Sequence, residues 1–259
     1  MNGATKLIQY FKWANTKTYL FTIQFGIKTN TGDITGTVIE TSNIIPNIKS
    51  INEVLHKFIG EIDQKPHVFS AVKINGKRSY ELVRNGIIPN IKSKKVTIHS
   101  LKLIKQVSND KYLFEANVSS GTYIRSLSED IAKELRTIAC TISLRRTSIG
   151  KFNISNSITL DYLYKNTYNI SELVASADDL LDGIPVVTVS DEVAYNLSLG
   201  KSIKVTNQII ITNNNVVLSS NNELYLAKSP CGFLELVTIN DNYMFPKKLI
   251  RKLGGKDVG

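Results

Sequence analysis

The sequence predicts an α+β protein, in which a mixed, largely antiparallel sheet with flanking helices precedes a small β-rich module. Two patterns carry this prediction: helix and strand patterns follow one another in mixed order up to about residue 150, and short strands dominate from residue 184 onward. Hydrophobic residues make up 42% of the 259 residues, and the mean hydropathy is −0.07. The chain therefore has enough apolar material for a buried core, which excludes a disordered protein.

Hydrophobic periodicity locates the elements of the first part of the chain. Helical apolar spacing, or a short run closed by turn residues, predicts four helices: residues 4–14, 51–59, 79–84 and 123–136. Alternating, aromatic and β-branched runs predict five strands: residues 19–27, 37–40, 95–104, 111–118 and 139–149. The dipeptide Asn75-Gly76 predicts a tight turn just before the third helix, because both residue types tolerate positive φ angles.

The second part of the chain begins after Asp182-Gly183-Ile184-Pro185, which we interpret as a domain boundary. Clusters of Asn, Gly and Ser separate six short β runs: Val186–Val189, Ser202–Thr206, Ile209–Thr212, Val216–Ser219, Leu224–Lys228 and Leu234–Ile239. Such runs are typical of a small barrel-like module. The predicted organisation is a first domain over residues 1–180, a β module over 184–253 and a flexible tail over 254–259.

Basic charge is concentrated in one segment. The chain has 32 Lys and Arg against 22 Asp and Glu, a net charge of +10 and a pI of about 9.4. Residues 49–105 hold 12 basic and 4 acidic side chains, a local excess of +8, whereas residues 160–200 hold 1 basic and 7 acidic ones, a local balance of −6. The basic segment indicates a polyanionic partner, and the acidic one indicates a solvated connection.

Features of targeting, disulfides and metal binding are missing from the sequence pattern. No run approaches 18 apolar residues, and the first residues lack the charged and apolar regions of a signal peptide. Cys140 and Cys231 lie far apart, and His56, His67 and His99 are scattered. We therefore expect a soluble protein of the reducing cytoplasm, with no membrane partner and no metal.

Three local features suggest chemistry, and each also has a simpler interpretation. Residues 64–81 interleave cations and aromatic rings around a tight turn, which suits RNA but also fits a surface hairpin in a Lys-rich protein. The segment 121–125 places Arg125 in the first turn of a helix, where it could hold an anion or a carboxylate, or simply be exposed. Tyr19 is one of five residues on the inward face of its strand.

The order of several short motifs narrows these alternatives. The sequence contains in succession Gly3-Ala4-Thr5-Lys6, Lys17-Thr18-Tyr19, Thr29-Asn30-Thr31-x-Asp33, Gln64-x-Pro66 through Arg84-x-Gly86, Gly121-Thr122-Tyr123-Ile124-Arg125 and Leu144-Arg145-Arg146-Thr147. This series resembles the bacterial TruB-type tRNA pseudouridine synthases from residue 2 to about 160. Residues 184–253 are similar, more weakly, to the PUA-like RNA-binding module of that family. His67 stands where the family usually has Pro, and Phe69 where it usually has Tyr, a change that keeps the stacking face.

The resemblance implies a cofactor-free isomerisation of a uridine in the T-arm loop of tRNA to pseudouridine. The target base is flipped out of the loop, its glycosidic bond is broken and the ring is rejoined through carbon. In this family pattern Tyr19 stacks on the target base, Arg125 pairs with the catalytic aspartate, and Leu144 belongs to the base pocket. Four further residues fall in the RNA-gripping thumb at about 64–96: Lys73, Lys77, Arg78 and Tyr80. The family also suggests a monomer that binds the T-arm stem-loop.

One part of the family pattern does not occur in the 259 residues. The nucleophilic aspartate of the motif H-x-G-x-L-D-P-x-A-[ST]-G is expected upstream of Met1, so no catalytic nucleophile is assigned within the chain. Asp33 is interpreted as a turn residue and Asp130 as a solvated helix residue. We therefore expect Arg125 to lack its carboxylate partner and the chain alone to be inactive.

Two further questions stay open at this level. Met1 is either an internal start within a longer enzyme, which the well-kept motifs favour, or the start of a truncated remnant. The alternative function is a non-catalytic tRNA-binding or tRNA-folding protein that uses the same thumb and C-terminal module. Binding by such a protein would be sensitive to salt. A third possibility is a basic protein whose partner is another protein.

Overall fold

The computed structural model describes residues 16–165, 181, 184–205, 210–211 and 223–251. They fall into two compact units, which divide between Ser157 and Ile158. The predicted helix at 4–14, the predicted strand at 216–219 and the tail at 254–259 lie outside the described residues. No helix in the described part of the chain is long and apolar enough to cross a membrane.

The first unit is built on an antiparallel six-stranded sheet. Its strands, in spatial order, are β10 (Phe152–Asn153), β9 (Ala139–Ile149), β1 (Thr16–Phe25), β8 (Lys111–Ser119), β7 (Lys94–Ser108) and β4 (Gly60–Gln64). The alternation along β1 places Phe21, Ile23 and Phe25 on one fully buried face, as their period-two spacing predicts. The α+β class with a largely antiparallel sheet is therefore confirmed.

Two helices cover this face of the sheet. Helix α1 (Ile48–Leu55) begins at Asn47, whose side chain accepts a hydrogen bond from the Ser50 amide, and ends in a 3₁₀ turn at His56–Phe58. Helix α3 (Ile124–Glu134) buries Ile124, Leu127 and Ile131. These side chains join the buried face of β1 in one core, so the sheet fixes where the first turn of α3 lies.

Two small hairpins extend from the sheet unit. The first pairs β2 (Ile27–Thr29) with β3 (Val38–Thr41). The second pairs β5 (Lys73–Ile74) with β6 (Lys77–Arg78) through Asn75 and Gly76, whose φ angles are 50° and 82°. These positive angles are those of the predicted tight turn. Helix α2 (Ser79–Arg84) follows directly and matches the predicted short helix.

The second unit contains its own six-stranded mixed sheet. In spatial order the strands are β12 (Ile203–Lys204), β16 (Tyr243–Arg251), β15 (Leu234–Asn240), β14 (Glu223–Lys228), β11 (Val186–Thr188) and β13 (Ile210–Ile211). The β11–β14 pair is parallel, and the other pairs are antiparallel. The unit also contains helix α4 (Leu160–Lys165) and helix α5 (Asp191–Ser198).

Several elements of the described residues, β10 and α4 among them, were not predicted from the sequence, and three others show why. Strand β4 is short and polar, and strand β16 contains Pro246, which lowers strand propensity. Helix α5 begins at Ser190, whose hydroxyl accepts a hydrogen bond from the Val193 amide, and buries Ala194 and Leu197. Its Ser cap followed by two acidic residues is a helix-start pattern that sequence analysis could have used.

Candidate active site

An open cleft of about 670 Å³ lies where the turn after β2, the start of the thumb and the first turn of α3 meet. Its lining residues are Thr31, Asp33, Thr35, Phe69, Ser70, Ala71, Tyr80, Arg84, Tyr123 and Arg125. Three of the segments that the sequence motifs picked out, far apart along the chain, thus come together at one place.

Arg125 is held in this cleft by three hydrogen bonds. Its Nη1 donates to Asp33 Oδ2 at 2.9 Å and to the Thr31 carbonyl at 2.8 Å, and its Nη2 donates to the Phe69 carbonyl at 2.9 Å. The expectation that Arg125 lacks a carboxylate partner is therefore wrong. Asp33 supplies one from 92 residues away.

Asp33 lies in the turn after β2, and both oxygens of its carboxylate accept hydrogen bonds. Oδ1 accepts hydrogen bonds from the Thr31 hydroxyl, the Thr35 hydroxyl and the Thr35 amide, while Oδ2 faces Arg125. Burial alone would raise the pKa of Asp33, but these hydrogen bonds and the Arg125 charge together lower it below the usual value. A carboxylate so fully engaged is suited to orienting Arg125 rather than to attacking a substrate.

A second pair of titratable groups lies beside Arg125. His67 Nε2 is 3.7 Å from Glu129 Oε1, and both side chains are largely buried. Burial, followed by the Arg125 charge, lowers the pKa of His67 to about 4, so the imidazole is neutral at pH 7. Burial raises the pKa of Glu129 to about 7. The contact is therefore between a neutral ring and a carboxyl group that titrates near neutrality.

The sheet places Tyr19 and Leu144 on the face against which α3 packs. Tyr19 packs at the edge of the core formed by Phe21 and α3, and Leu144 pairs directly with Phe21 across the β1–β9 ladder. Tyr19 and Leu144 are thus diagonal neighbours on one face, and Leu144 is 50% exposed. Among the described residues, neither lines the cleft around Arg125. Their assigned roles stay predictions.

The thumb presents a cationic surface next to the cleft. Lys73 and Lys77 are exposed on opposite strands of the β5–β6 hairpin. Arg78 donates a hydrogen bond to the Tyr80 hydroxyl at 3.1 Å, and its guanidinium lies 5.9 Å from the Tyr80 ring centre. The four thumb residues predicted to bind RNA therefore lie on one hairpin and the helix that follows it.

Sequence analysis missed two residues of this region. The Arg84 guanidinium lies 5.5 Å from the Tyr80 ring centre and lines the cleft. The spacing of four residues between Tyr80 and Arg84 on a helix was the available signal. Lys94 lies over the Tyr123 ring at 4.8 Å, a contact between distant segments for which the sequence contains no local signal.

The site contains no arrangement typical of metal binding. Across the described residues, no group of three or more His, Cys, Asp or Glu side chains lies close enough to hold a metal ion. The chemistry available in the cleft is that of an oriented guanidinium, engaged carboxyl groups and aromatic faces.

Comparison with known proteins identifies the family. A model described as TruB family pseudouridylate synthase (N terminal domain) matches residues 1–124. The tRNA pseudouridine synthase B of Rickettsia akari (strain Hartford) is 39% identical over 202 residues, which cover 76% of this chain and 68% of the relative. The chain belongs to the TruB family of pseudouridylate synthases.

Other TruB-family relatives agree with this assignment. The tRNA pseudouridine synthase B of Caulobacter vibrioides is 37% identical over 205 residues, covering 78% of this chain and 66% of that protein. The corresponding Rickettsia felis protein is 40% identical, over 76% of this chain and 59% of its own length. The chain therefore spans about 59–68% of the length of these relatives.

Solved structures share the fold at low sequence identity. The archaeal box H/ACA sRNP Nop10-Cbf5 complex contains a chain that matches 99% of this one with a TM-score of 0.67 and 16% identity, over 73% of its own length. An H/ACA RNP bound to a substrate RNA containing 2'-deoxyuridine matches 95% of this chain, with a TM-score of 0.64 and 17% identity, over 69% of its own length. These likenesses support the fold of the TruB-family chain.

Proposed function

We propose that this chain is the RNA-binding and substrate-positioning part of a tRNA pseudouridine synthase, which converts a uridine of the T-arm loop to pseudouridine. The observation that carries the proposal is the orientation of Arg125 by Asp33 and the Phe69 carbonyl, at the base of a cleft bordered by the basic thumb. The relatives are named tRNA pseudouridine synthase B, which supports tRNA as the substrate. We also propose the cytoplasm as the location. We further propose that the chain acts as a monomer.

Arg125 has donors left for a second carboxylate. A guanidinium carries five N–H groups, and the three hydrogen bonds of Arg125 use both protons of Nη1 and one of Nη2. Within the described residues, this leaves Nε–H and the remaining N–H of Nη2. Two such donors match the two oxygens of a carboxylate, which supports the proposal that the catalytic aspartate pairs here while Asp33 holds the opposite side.

The neighbouring surfaces suit a flipped base and its flanking phosphates. Flipping costs a few kcal/mol of lost stacking, which an aromatic and apolar surface offsets. Tyr19 and the half-exposed Leu144 supply such a surface on one face of the sheet. The thumb residues Lys73, Lys77 and Arg78 would bind phosphates, because phosphate contacts position a nucleic acid without reading its sequence.

The family's nucleophile motif is absent from the 259 residues, and both oxygens of Asp33 are already engaged. We therefore expect the chain by itself to bind a T-arm stem-loop without converting its uridine. Joined to a segment of a TruB-family protein that carries the H-x-G-x-L-D motif, it should form pseudouridine. The assay is quantification of pseudouridine in a synthetic T-arm stem-loop.

Matched variants sharpen this assay. Arg125→Lys in the joined protein keeps the charge but loses the planar fork, and should lower the rate at least ~100-fold because misplacement at a reacting centre is costly. Arg136→Lys, at an exposed position after α3, is the control and should keep the rate. If the 259 residues alone formed pseudouridine, the proposal that the nucleophile lies outside them would be wrong. Salt-sensitive binding without conversion by the joined protein would favour a tRNA-binding function instead.

A further inference from the structure

His67 lies at the meeting point of three segments that hold Arg125. Its imidazole packs near the Phe69 ring, with ring centres 6.1 Å apart and planes inclined by 25°. Gly32, in the turn that carries Asp33, lies near the Cδ2–Nε2 edge of the ring. A Cβ on Gly32 would come within 3.1 Å of the imidazole and 3.2 Å of Glu129 Oε1, so no other residue fits here without displacement.

One hydrogen bond determines the tautomer of His67. The Phe69 amide donates to His67 Nδ1 at 3.2 Å, so Nδ1 is the unprotonated nitrogen of the neutral ring. The proton is then on Nε2, which faces Glu129 Oε1 at 3.7 Å. One imidazole thus accepts a hydrogen bond from the backbone of Phe69 and faces the side chain of Glu129.

The same backbone holds Arg125. The Phe69 carbonyl accepts a hydrogen bond from Arg125 Nη2, and Glu129 lies on α3 four residues after Arg125. From the thumb side, the Tyr80 amide donates to the Ser70 carbonyl and the Ser79 amide donates to the Val72 carbonyl. The strap of residues 67–72 is therefore fixed between the first turn of α2 and helix α3.

We propose that His67 and Glu129 are positioning residues for Arg125, which act by holding the Phe69 carbonyl against its guanidinium. The positioning role rests on the proposed function only because that function gives Arg125 a role in binding the catalytic aspartate. At 3.7 Å the contact is longer than a hydrogen bond, so it acts as a charge–dipole attraction, which is strongest when Glu129 is ionised and faces the Nε2–H. When Glu129 is protonated this attraction is lost, and the strap depends on the Phe69 amide and the α2 contacts.

Charged and titratable groups face the His67–Glu129 pair from β2, from the turn after β2, from α3 and from β9. Lys28 on β2 and Arg125 on α3 favour ionised Glu129, whereas Asp130 on α3 opposes it. Asp33 in the turn favours a protonated His67, and Arg125 and Lys28 oppose it. The Cys140 thiol on β9 feels both Asp33 and Glu129, and burial raises its pKa.

The test is nitrogen-15 histidine NMR on the whole chain between pH 5 and 9, with His67 assigned through a His67→Phe variant. We expect His67 to remain neutral with its proton on Nε2, and its Nε2 shift to have an inflection near pH 7 that Glu129→Gln abolishes. Glu53→Gln, on the exposed face of α1, is the control and should leave the inflection unchanged. A His67 that gains a proton near pH 6.5, or an Nε2 shift without the inflection, would overturn the proposal.

A second readout addresses Arg125 directly. In His67→Phe the ring packing is kept, but the Phe69 amide loses its acceptor and Glu129 loses its partner. We expect the Arg125 Nη protons to exchange with solvent at least ~10-fold faster, about 1.4 kcal/mol of lost protection, while β1 amides keep theirs. Equal exchange of Arg125 in both proteins would refute the positioning role, and failure of tRNA binding alone would refute only the proposed function.

Discussion

Gln64 and Tyr123 exchange two hydrogen bonds that connect the end of strand β4 to the residue before helix α3. Gln64 Nε2 donates to the Tyr123 carbonyl at 3.1 Å, and the Tyr123 amide donates to Gln64 Oε1 at 2.8 Å. Gln64 is fully buried. Strand β4 leads into the thumb, and Tyr123 lies two residues before Arg125. The Gln64 side chain therefore holds the start of the thumb against the first turn of α3.

The first prediction concerns this link. Gln64→Met keeps the volume but leaves the Tyr123 amide and carbonyl without their side-chain partner. The free energy of unfolding should fall by about 2 kcal/mol, since unpaired, part-buried backbone groups carry a desolvation penalty. Denaturant titration measures it. Lys105→Met, on an exposed part of β7, is the control and should change stability by less than about 0.5 kcal/mol. Equal effects of the two changes would contradict the role of Gln64.

The second prediction concerns the charge pair at Arg125. The folded protein holds the pKa of Asp33 below its usual value, so this carboxylate contributes stability above about pH 4 and loses it as the pH falls through the lowered value. Asp33→Asn should therefore lower the free energy of unfolding at pH 7 by roughly 1–2 kcal/mol. The difference from the unaltered protein should shrink below pH 4.

Denaturant titrations at pH 7 and in acid measure this difference. Asp63→Asn is the matched control, because Asp63 is exposed on β4. A pH-independent loss in Asp33→Asn would mean that the side chain acts through shape rather than through charge.

The third prediction concerns the thumb. Replacing Lys73, Lys77 and Arg78 together by Gln should weaken T-arm binding and lower its dependence on salt. Each lost phosphate contact reduces the slope of log affinity against log salt by about 0.7–0.9. The measurement is fluorescence anisotropy at several salt concentrations.

Lys102→Gln with Lys105→Gln is the control for the thumb, because both residues are exposed on β7 in the same basic segment. The control should keep most of the affinity and slope. If both sets of changes reduce the slope per charge equally, the whole basic surface attracts RNA and the thumb has no special place in it.

The fourth prediction concerns Glu235 in the second unit. Its side chain is 4% exposed, and its Oε2 has no hydrogen-bond partner in the part of the chain that the structure describes. Burial raises the pKa of Glu235 from 4.5 to about 7. The folded unit therefore binds a proton that the unfolded chain releases, and stability falls as the pH rises from about 4.5 to 7.

Glu235→Gln should remove this loss, on the order of 3 kcal/mol at pH 8, and have little effect at pH 5. Hydrogen exchange of the β15 amides, compared between variant and unaltered protein at each pH, reports it. Glu192→Gln, on the exposed first turn of α5, is the control. Protection of β15 that is the same in Glu235→Gln and the unaltered protein at pH 8 would contradict the prediction.

Sequence periodicity predicted most of the described sheet unit, because a strand with one buried face alternates visibly, as Phe21, Ile23 and Phe25 do. It located Arg125 through a motif and placed it in the first turn of a helix. It failed for β4, whose polar residues Glu61 and Asp63 hide the strand pattern. It also failed for the partner of Arg125, because Asp33 is 92 residues away and looked like an ordinary turn residue.

The sequence by itself determined the α+β class, the positions of the main strands and helices, and the order of motifs that identifies the family. These features depend on the spacing of hydrophobic residues, on turn residues and on the order of motifs, all of which can be recognised in the sequence itself. Only the tertiary structure decided that Asp33, Phe69 and Arg125 meet, and that His67 and Glu129 lie beside them. The physical reason is that the order and register of the strands determine which distant side chains come within hydrogen-bonding distance, and no local pattern encodes that pairing.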